Sequence, residues 1–122
     1  MQYSVLTAQQ AQDYSSEEGW GRVDQLAGVE VGNAVGVSLG RVLFKPGQAD
    51  PLHAHDNCEE VVYVVSGVFS YTLGDESVIL RRGDTLVVSA GVFHNGRNIG
   101  SEPAEIIRVL SAGKGEIRIA ST

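Results

Sequence analysis

From residue 34 onward, short apolar runs alternate with clusters of turn-forming residues. The runs Glu60 to Val65 and Ala104 to Leu110 are rich in β-branched residues, which strands favour. Turn-forming glycine, proline and aspartate separate the runs, as at Pro46-Gly47, Ser66-Gly67, Gly74-Asp75 and Gly83-Asp84. No long helical period interrupts this pattern. Many short strands separated by such turns indicate an all-β sandwich or barrel.

The alternation of side chains predicts which face of a strand is buried, because successive residues point to opposite faces. In the first regular strand, one set of alternate positions is apolar and consists of Val35, Val37, Leu39 and Leu43. Arg41 interrupts this apolar parity. The run Glu60 to Val65 is apolar at nearly every position, so we expect it to be buried on both faces.

Residues 1–34 carry the weakest pattern, and we expect them to form an N-terminal arm, with residues 35–122 as the barrel domain. Within the arm, Ser4 to Leu6 is a candidate short strand, Ala8 to Gln12 a helical turn and Ser15 to Gly19 an exposed loop. Trp20 is an apolar anchor for the arm. The surface it packs on is either the barrel or a partner subunit.

Composition narrows the class of protein. The chain has 122 residues, 43% of them hydrophobic and 20% charged, which suits one globular domain. A net charge of −6 argues against a nucleic-acid surface, and no apolar run is long enough to span a membrane. The N-terminal residues lack a signal-peptide pattern, and the single cysteine, Cys58, excludes an intrachain disulfide. We therefore expect a cytoplasmic protein.

The three histidines of the chain lie in two short segments, at His53, His55 and His94. His53 and His55 project to the same side of an extended strand. Imidazole nitrogens bind divalent transition metals, and Glu60, which opens an apolar run, would be costly to bury without a cation. These residues predict a metal site. The alternative is an exposed polar face with a loop histidine.

The spacing of these residues resembles the two conserved motifs of the cupin superfamily. The first motif is matched by Gly47-x5-His53-x-His55-x4-Glu60-x6-Gly67, and the second by Gly83-x5-Ser89-x-Gly91-x2-His94-x3-Asn98. The family usually has proline at the position of Ser89. The resemblance implies a cupin jelly-roll (double-stranded β-helix) barrel that binds one divalent ion through His53, His55, Glu60 and His94. The ion would be iron, manganese, nickel, cobalt or zinc.

The sequence gives weaker indications of a role for residues other than the four metal ligands. Tyr71, Arg41 and Phe93 are candidates to line the barrel. Asn98 closes the second motif as either a turn-stabilising amide or a substrate contact. Asp50 is expected to cap or solvate a loop near the barrel mouth.

Cupins include dioxygenases, isomerases, cyclases, lyases and binding proteins, so the resemblance leaves the reaction open. An octahedral ion with four protein ligands keeps two positions for a chelating oxygen ligand. We expect an enzyme that acts on a small oxygen-rich molecule, by dioxygenase or by isomerase, cyclase or lyase chemistry. The alternative is a non-catalytic cupin that binds a small ligand. The resemblance also implies a homodimer.

Overall fold

The computed structural model describes residues 2–121, and almost all of the regular structure in that range is β. It contains one short helix and eleven strands: α1 (Ala8–Ala11), a 3-10 turn (Gln12–Tyr14), β1 (Ser15–Glu18), β2 (Gly21–Ala27), β3 (Ser38–Phe44), β4 (His53–Ala54), β5 (Glu60–Ser66), β6 (Val68–Leu73), β7 (Glu76–Arg81), β8 (Thr85–Val88), β9 (His94–Asn98), β10 (Ala104–Leu110) and β11 (Arg118–Ile119).

The strands form two antiparallel sheets that face each other as a jelly-roll barrel. The larger sheet has the order β1-β2-β3-β10-β5-β8, and the smaller has the order β11-β4-β9-β6-β7. Strands that are distant in sequence become neighbours, as when β10 pairs with both β3 and β5. The prediction of an all-β barrel is confirmed. None of the helices in residues 2–121 has the length and hydrophobicity needed to cross a bilayer.

The hydrophobic core lies between the two sheets. Phe44 on β3 and Phe69 on β6 meet edge to face with their ring centroids 5.0 Å apart. Val62 and Val64 on β5 are completely buried. Fully burying such side chains contributes about 1.5–3 kcal/mol each, so this core holds the sheets together independently of the polar residues beside it.

The N-terminal region is part of the larger sheet. Residues 15–18, expected to be a loop, form β1 and pair with β2, which in turn pairs with β3. Trp20 packs on Phe44 at a centroid distance of 5.0 Å, so it anchors this region to the barrel. The helical turn is confirmed as α1, capped reciprocally by Thr7 and Gln10, whereas residues 4–6 form no strand.

Two predictions about strand faces were wrong. The apolar parity expected to define β3 faces away from the core, because the buried members of this strand are Ser38, Gly40, Val42 and Phe44. In β5 only one face is buried, since Tyr63 on the opposite face is 45% exposed. Hydrophobicity along these strands does not distinguish the inner face of the barrel from the half-buried outer face.

Candidate metal centre

Four side chains from separate parts of the chain converge inside the barrel. His53 on β4 lies directly opposite His94 on β9 in the smaller sheet, and Glu60 begins β5 in the larger sheet. His55 follows β4 and completes the group. One ligand atom from each residue can be chosen so that all four lie within 4.8 Å of one another. The sequence-predicted set is therefore brought together.

Backbone carbonyls orient all three imidazoles. The Nδ1 atoms of His53, His55 and His94 lie 2.7, 3.0 and 2.9 Å from the carbonyl oxygens of Pro51, Glu116 and Val92, respectively. A carbonyl oxygen can only accept a hydrogen bond, so each Nδ1 must carry the proton. In the neutral tautomer each Nε2 then has a free lone pair, which is the form of histidine that binds metals.

The electrostatics of the group favour an ionised carboxylate. Burial alone would raise the pKa of Glu60, but the His55 and His94 imidazoles beside it outweigh burial and lower this pKa to about 2. Burial also opposes the charged form of His94, yet Glu60, which only this form can hydrogen-bond through Nε2, raises its pKa. The pKa of His53 is lowered, chiefly by burial. Glu60 is thus an anion that attracts a cation.

The donor set fits one divalent ion. Nε2 of His55 lies 2.9 Å from Oε1 of Glu60, yet it is buried and makes no hydrogen bond with any of residues 2–121. A buried polar atom without a hydrogen-bond partner is unusual. The lone pair of this Nε2 is available to a cation. Ligands on opposite sides of an ion at about 2.2 Å would lie about 4.4 Å apart, which matches the spread of this group. His55, Glu60 and His94 are at most 4% exposed, so an exposed polar face is excluded.

A cavity of about 470 Å³ opens beside the cluster. His53, Glu60 and His94 line it together with the apolar side chains of Val42, Phe44 and Ile106. Trp20 and residues of β2 contribute to the wall, so the N-terminal region helps to shape the space. A volume of this size accommodates a small organic ligand.

Of the four lining candidates from the sequence, only Tyr71 lies in the cavity wall. Its ring crosses Gly96, where a Cβ atom would come 2.6 Å from the ring carbon Cζ, so this register requires glycine. Burial, together with the negative charges of Asp50 and Glu60, raises the pKa of Tyr71 well above its ordinary value. The hydroxyl therefore remains protonated and can donate a hydrogen bond into the cavity.

The other three candidates lie elsewhere. Arg41 is on the outer parity of β3, with its Nε 3.2 Å from a carboxylate oxygen of Asp24. Phe93 packs beneath the guanidinium of Arg118, 4.6 Å from the ring centroid, outside the cavity wall. Asn98 is fully buried at the end of β9, where its side chain donates to the carbonyls of Phe44 and Glu102 and accepts from the amide of Gly100 in the turn that follows. Asn98 therefore stabilises a turn.

Asp50 and Arg108 line the cavity without having been predicted. One carboxylate oxygen of Asp50 accepts a hydrogen bond of 2.8 Å from the amide of Gly96. Burial raises the pKa of Asp50 to about 6, a range in which a carboxyl group exchanges its proton near neutral pH. The expected loop-capping role is replaced by a position in the wall. Neither residue occupies a fixed position of the two motifs: Arg108 is placed by the register of β10, and Asp50 by the loop between β3 and β4.

The fold and this cluster define a class of protein that sequence comparison identifies directly. A sequence model of the cupin domain matches residues 40–110, and the chain belongs to the cupin family. The matched span includes all four residues of the cluster.

Comparison with individual proteins agrees with this assignment. The chain is 38% identical over 85 residues to germin-like protein 3-8 of Oryza sativa subsp. japonica, which covers 66% of this chain and 38% of the relative. It thus spans about two fifths of the length of the curated relatives it matches.

Solved structures extend the comparison to the fold. One neighbour is an oxalate oxidase in complex with the substrate analogue glycolate, at 25% identity and a TM-score of 0.76, covering 86% of this chain and 57% of that one. A Klebsiella pneumoniae protein of uncharacterised function with a double-stranded β-helix domain superimposes with a TM-score of 0.77 at 21% identity. That match covers 92% of this chain and 95% of the other, and it supports the fold alone.

Proposed function

We propose that this chain is a metal-dependent enzyme acting on a small, oxygen-rich, chelating substrate. The observation that carries this proposal is the convergence of three oriented imidazoles and one carboxylate beside a cavity of about 470 Å³. His53, His55, Glu60 and His94 would hold one ion of iron, manganese, nickel, cobalt or zinc. Such an ion, when bound, polarises an oxygen ligand and lowers the pKa of a coordinated hydroxyl group.

The residues around the cluster would position the substrate. Tyr71 presents a protonated hydroxyl, and the apolar wall formed by Val42, Phe44 and Ile106 excludes water from much of the ligand. Water exclusion strengthens the electrostatic interactions of a polar ligand. The oxalate oxidase neighbour holds glycolate, a small hydroxy acid, which supports a substrate of this kind. Dioxygenase chemistry and non-redox isomerase, cyclase or lyase chemistry are both consistent with such a site.

Two adjacent glutamates provide a matched test of metal binding. Glu60 is 4% exposed inside the cluster, whereas the neighbouring Glu59 is exposed. We expect Glu60→Ala and His94→Ala to lose metal, measured by elemental analysis after dialysis against added Mn²⁺ or Zn²⁺. Glu59→Ala should retain the wild-type stoichiometry. A wild-type protein that takes up no ion, or a Glu60→Ala variant with unchanged affinity, would refute the metal site.

Turnover needs a separate experiment. Protein loaded with each of the five metals is incubated with glycolate, oxalate, diketones, catechols and sugar acids, in air and under nitrogen, while oxygen uptake and products are followed. An enzyme should convert at least one compound at a rate that depends on the metal. Glu60→Gln should then lower turnover more than metal occupancy, because it alters the charge around the reacting atoms. Ligands that bind but emerge unchanged with every metal would overturn the enzymatic proposal.

We also propose that the chain forms a homodimer through the outer face of the larger sheet. An apolar patch there comprises Val61, Tyr63, Val87, Ile107 and Val109, which are neighbours in the β8, β5 and β10 register. Tyr63 and Val87 are 45% and 57% exposed, although the run Val61 to Val65 has the composition of a strand buried on both faces. Light scattering at micromolar concentration should give a dimer mass, and Tyr63→Lys should give a monomer. A monomeric wild-type protein would refute this assembly.

A further inference from the structure

The inner face of β10 carries one residue that does not suit a hydrophobic core. Side chains at alternate positions of this strand point into the barrel, and these positions hold Ala104, Ile106, Arg108 and Leu110. The other three are buried apolar residues. An arginine in this row places a permanent positive charge inside the barrel, and its desolvation is costly unless an anion pairs with it.

Arg108 forms no direct ion pair among the described residues, and the Glu60 carboxylate acts on it only at longer range. Its one hydrogen bond is a long one, 3.4 Å from Nη2 to Oε1 of Gln25, and its Nε is buried without a partner. No carboxylate of residues 2–121 forms a salt bridge with it, whereas Arg118 is paired with Asp56. Most of the hydrogen-bonding capacity of this guanidinium is therefore available to a ligand.

The strands are built to accommodate this side chain. Arg108 pairs with Gly40 on β3, and its guanidinium lies across that glycine. A Cβ atom at position 40 would come 2.8 Å from Nη2 of Arg108, so any larger residue would displace the guanidinium. Gly40 therefore gives the charge a defined place on the cavity wall.

Arg108 also lies close to the metal cluster. Leu110 pairs with Glu60 across β10 and β5, which puts Arg108 one inward position further along the same face. Diagonal neighbours on adjacent strands are about 7–8 Å apart, a separation that a short carbon chain can span. Arg108 and the cluster line the same cavity.

The charge of the cavity favours an anionic ligand. A divalent ion paired with the Glu60 carboxylate leaves about one positive charge, and Arg108 adds a second. Three other carboxyl groups line the cavity. Glu18 and Glu30 are exposed, so solvent screens them, and an ionised Asp50 would offset about one of these two positive charges, which leaves the cavity positive.

We propose that Arg108 binds a carboxylate of the substrate, and that the substrate is a small dicarboxylic acid whose other end carries the chelating oxygen atoms. This proposal rests on the proposed function, because the cluster must hold a metal for the chelating end to bind. A bidentate contact with the planar guanidinium selects a carboxylate over a hydroxyl or a methyl group. Arg108 thereby determines specificity and takes no part in holding the metal.

Malate and lactate form a matched pair of probes. Both carry the same α-hydroxycarboxylate, and malate replaces a methyl hydrogen of lactate with a second carboxylate. Binding is followed by visible absorption of Co²⁺-loaded protein and by calorimetry of Zn²⁺-loaded protein, neither of which requires turnover. Wild-type protein should bind malate about 10- to 100-fold more tightly than lactate, the range of one charge-assisted contact.

Arg108→Gln should remove that preference, reducing affinity for malate by about the same factor and leaving affinity for lactate within about threefold. Arg108→Lys, which retains the charge and loses the planar fork, should restore part of the preference. Arg82→Gln removes an exposed charge and should behave as wild type. Metal stoichiometry should be the same in all four proteins.

The outcomes separate the two proposals. Wild-type protein that takes up no ion overturns both the proposed function and the role of Arg108. Protein that takes up the ion but binds malate and lactate equally overturns the role of Arg108 alone. Equal losses for both ligands in Arg108→Gln would also overturn it, since they indicate a structural role. If Arg108→Gln does not fold, the test uses the wild type and Arg108→Lys. A wild-type preference for malate over lactate that Arg108→Lys retains only in part supports the role of Arg108, and an unchanged preference overturns it.

Discussion

Asp50 provides a quantitative test of the electrostatics of the cavity. Its pKa is raised from 3.8 to about 6, chiefly because burial disfavours the ionised form. At roughly 1.36 kcal/mol per pKa unit, the ionised carboxylate costs the folded protein about 3 kcal/mol. Asparagine at this position is neutral at every pH and keeps an oxygen that can accept from the Gly96 amide. Asp50→Asn should therefore relieve most of this cost.

The direction of the pH dependence follows from the raised pKa. Because the folded state holds this proton more tightly than the unfolded chain, the protonated carboxyl favours folding below about pH 4. That contribution is lost as the pH rises from about 4 to about 6. Asp50→Asn should thus stabilise the metal-free protein by about 2 kcal/mol at pH 7.5 and hardly at all at pH 4.

The measurement is denaturant unfolding of chelator-treated protein at pH 4 and pH 7.5, with the free energy of unfolding taken from the linear extrapolation. Chelator is needed because a bound cation would itself favour the carboxylate. Asp75→Asn, at an exposed turn position, is the matched control and should change stability by less than about 0.5 kcal/mol. The same change for Asp50→Asn at both pH values would refute the reasoning, as would no change at pH 7.5.

Two further predictions concern the relation between the core and the cluster. Removing metal with a chelator should lower the thermal midpoint without abolishing the far-UV β signal, because the core packs independently of the ligands. A metal that binds only the native state, at 1,000 times its Kd, raises the free energy of unfolding by about 4 kcal/mol. Loss of the β signal at room temperature after chelation would contradict the independence of the core. Phe69→Ala, in the completely buried core, should cost about 3–5 kcal/mol of unfolding free energy. Phe93→Ala, at a half-buried position, should cost clearly less in the same denaturation experiment, and equal costs would contradict the assignment of the core.

Where a strand has a local signal, the sequence predicts it closely. β10 begins and ends at the residues of the apolar run Ala104 to Leu110, because turn residues flank that run. β1 has no such signal: its residues, Ser15 to Glu18, are polar and exposed, and they form a strand because β2 offers an edge to pair with. The run Val61 to Val65 suggested burial on both faces, but within one chain the outer face is covered only in part.

The residues of the site also fall into those that the sequence predicts and those that it does not. The four residues of the cluster were predictable because their spacing along the sequence matches the two cupin motifs. Arg108 was not, because its position depends on which parity of β10 faces the barrel, and Asp50 was not, because it lies in the loop between β3 and β4. Arg41 illustrates the difficulty: it interrupts the apolar parity of β3, but that parity is the outer one, and Arg41 pairs there with Asp24. Only the register of β3 against β10 distinguishes the two arginines.

The carbonyl groups that orient the imidazoles come from Pro51, Val92 and Glu116. Every residue carries a carbonyl, so the direction of each ring is encoded in the path of the main chain and is indifferent to the side chains at those positions. A polar side chain of the cavity wall can then be exchanged without removing the hydrogen bonds that orient the imidazoles. Under the proposed role of Arg108, exchanging this residue would alter the ligand that is bound without rebuilding the cluster. A scaffold organised in this way separates the groups that would hold the ion from the side chain that would select the ligand.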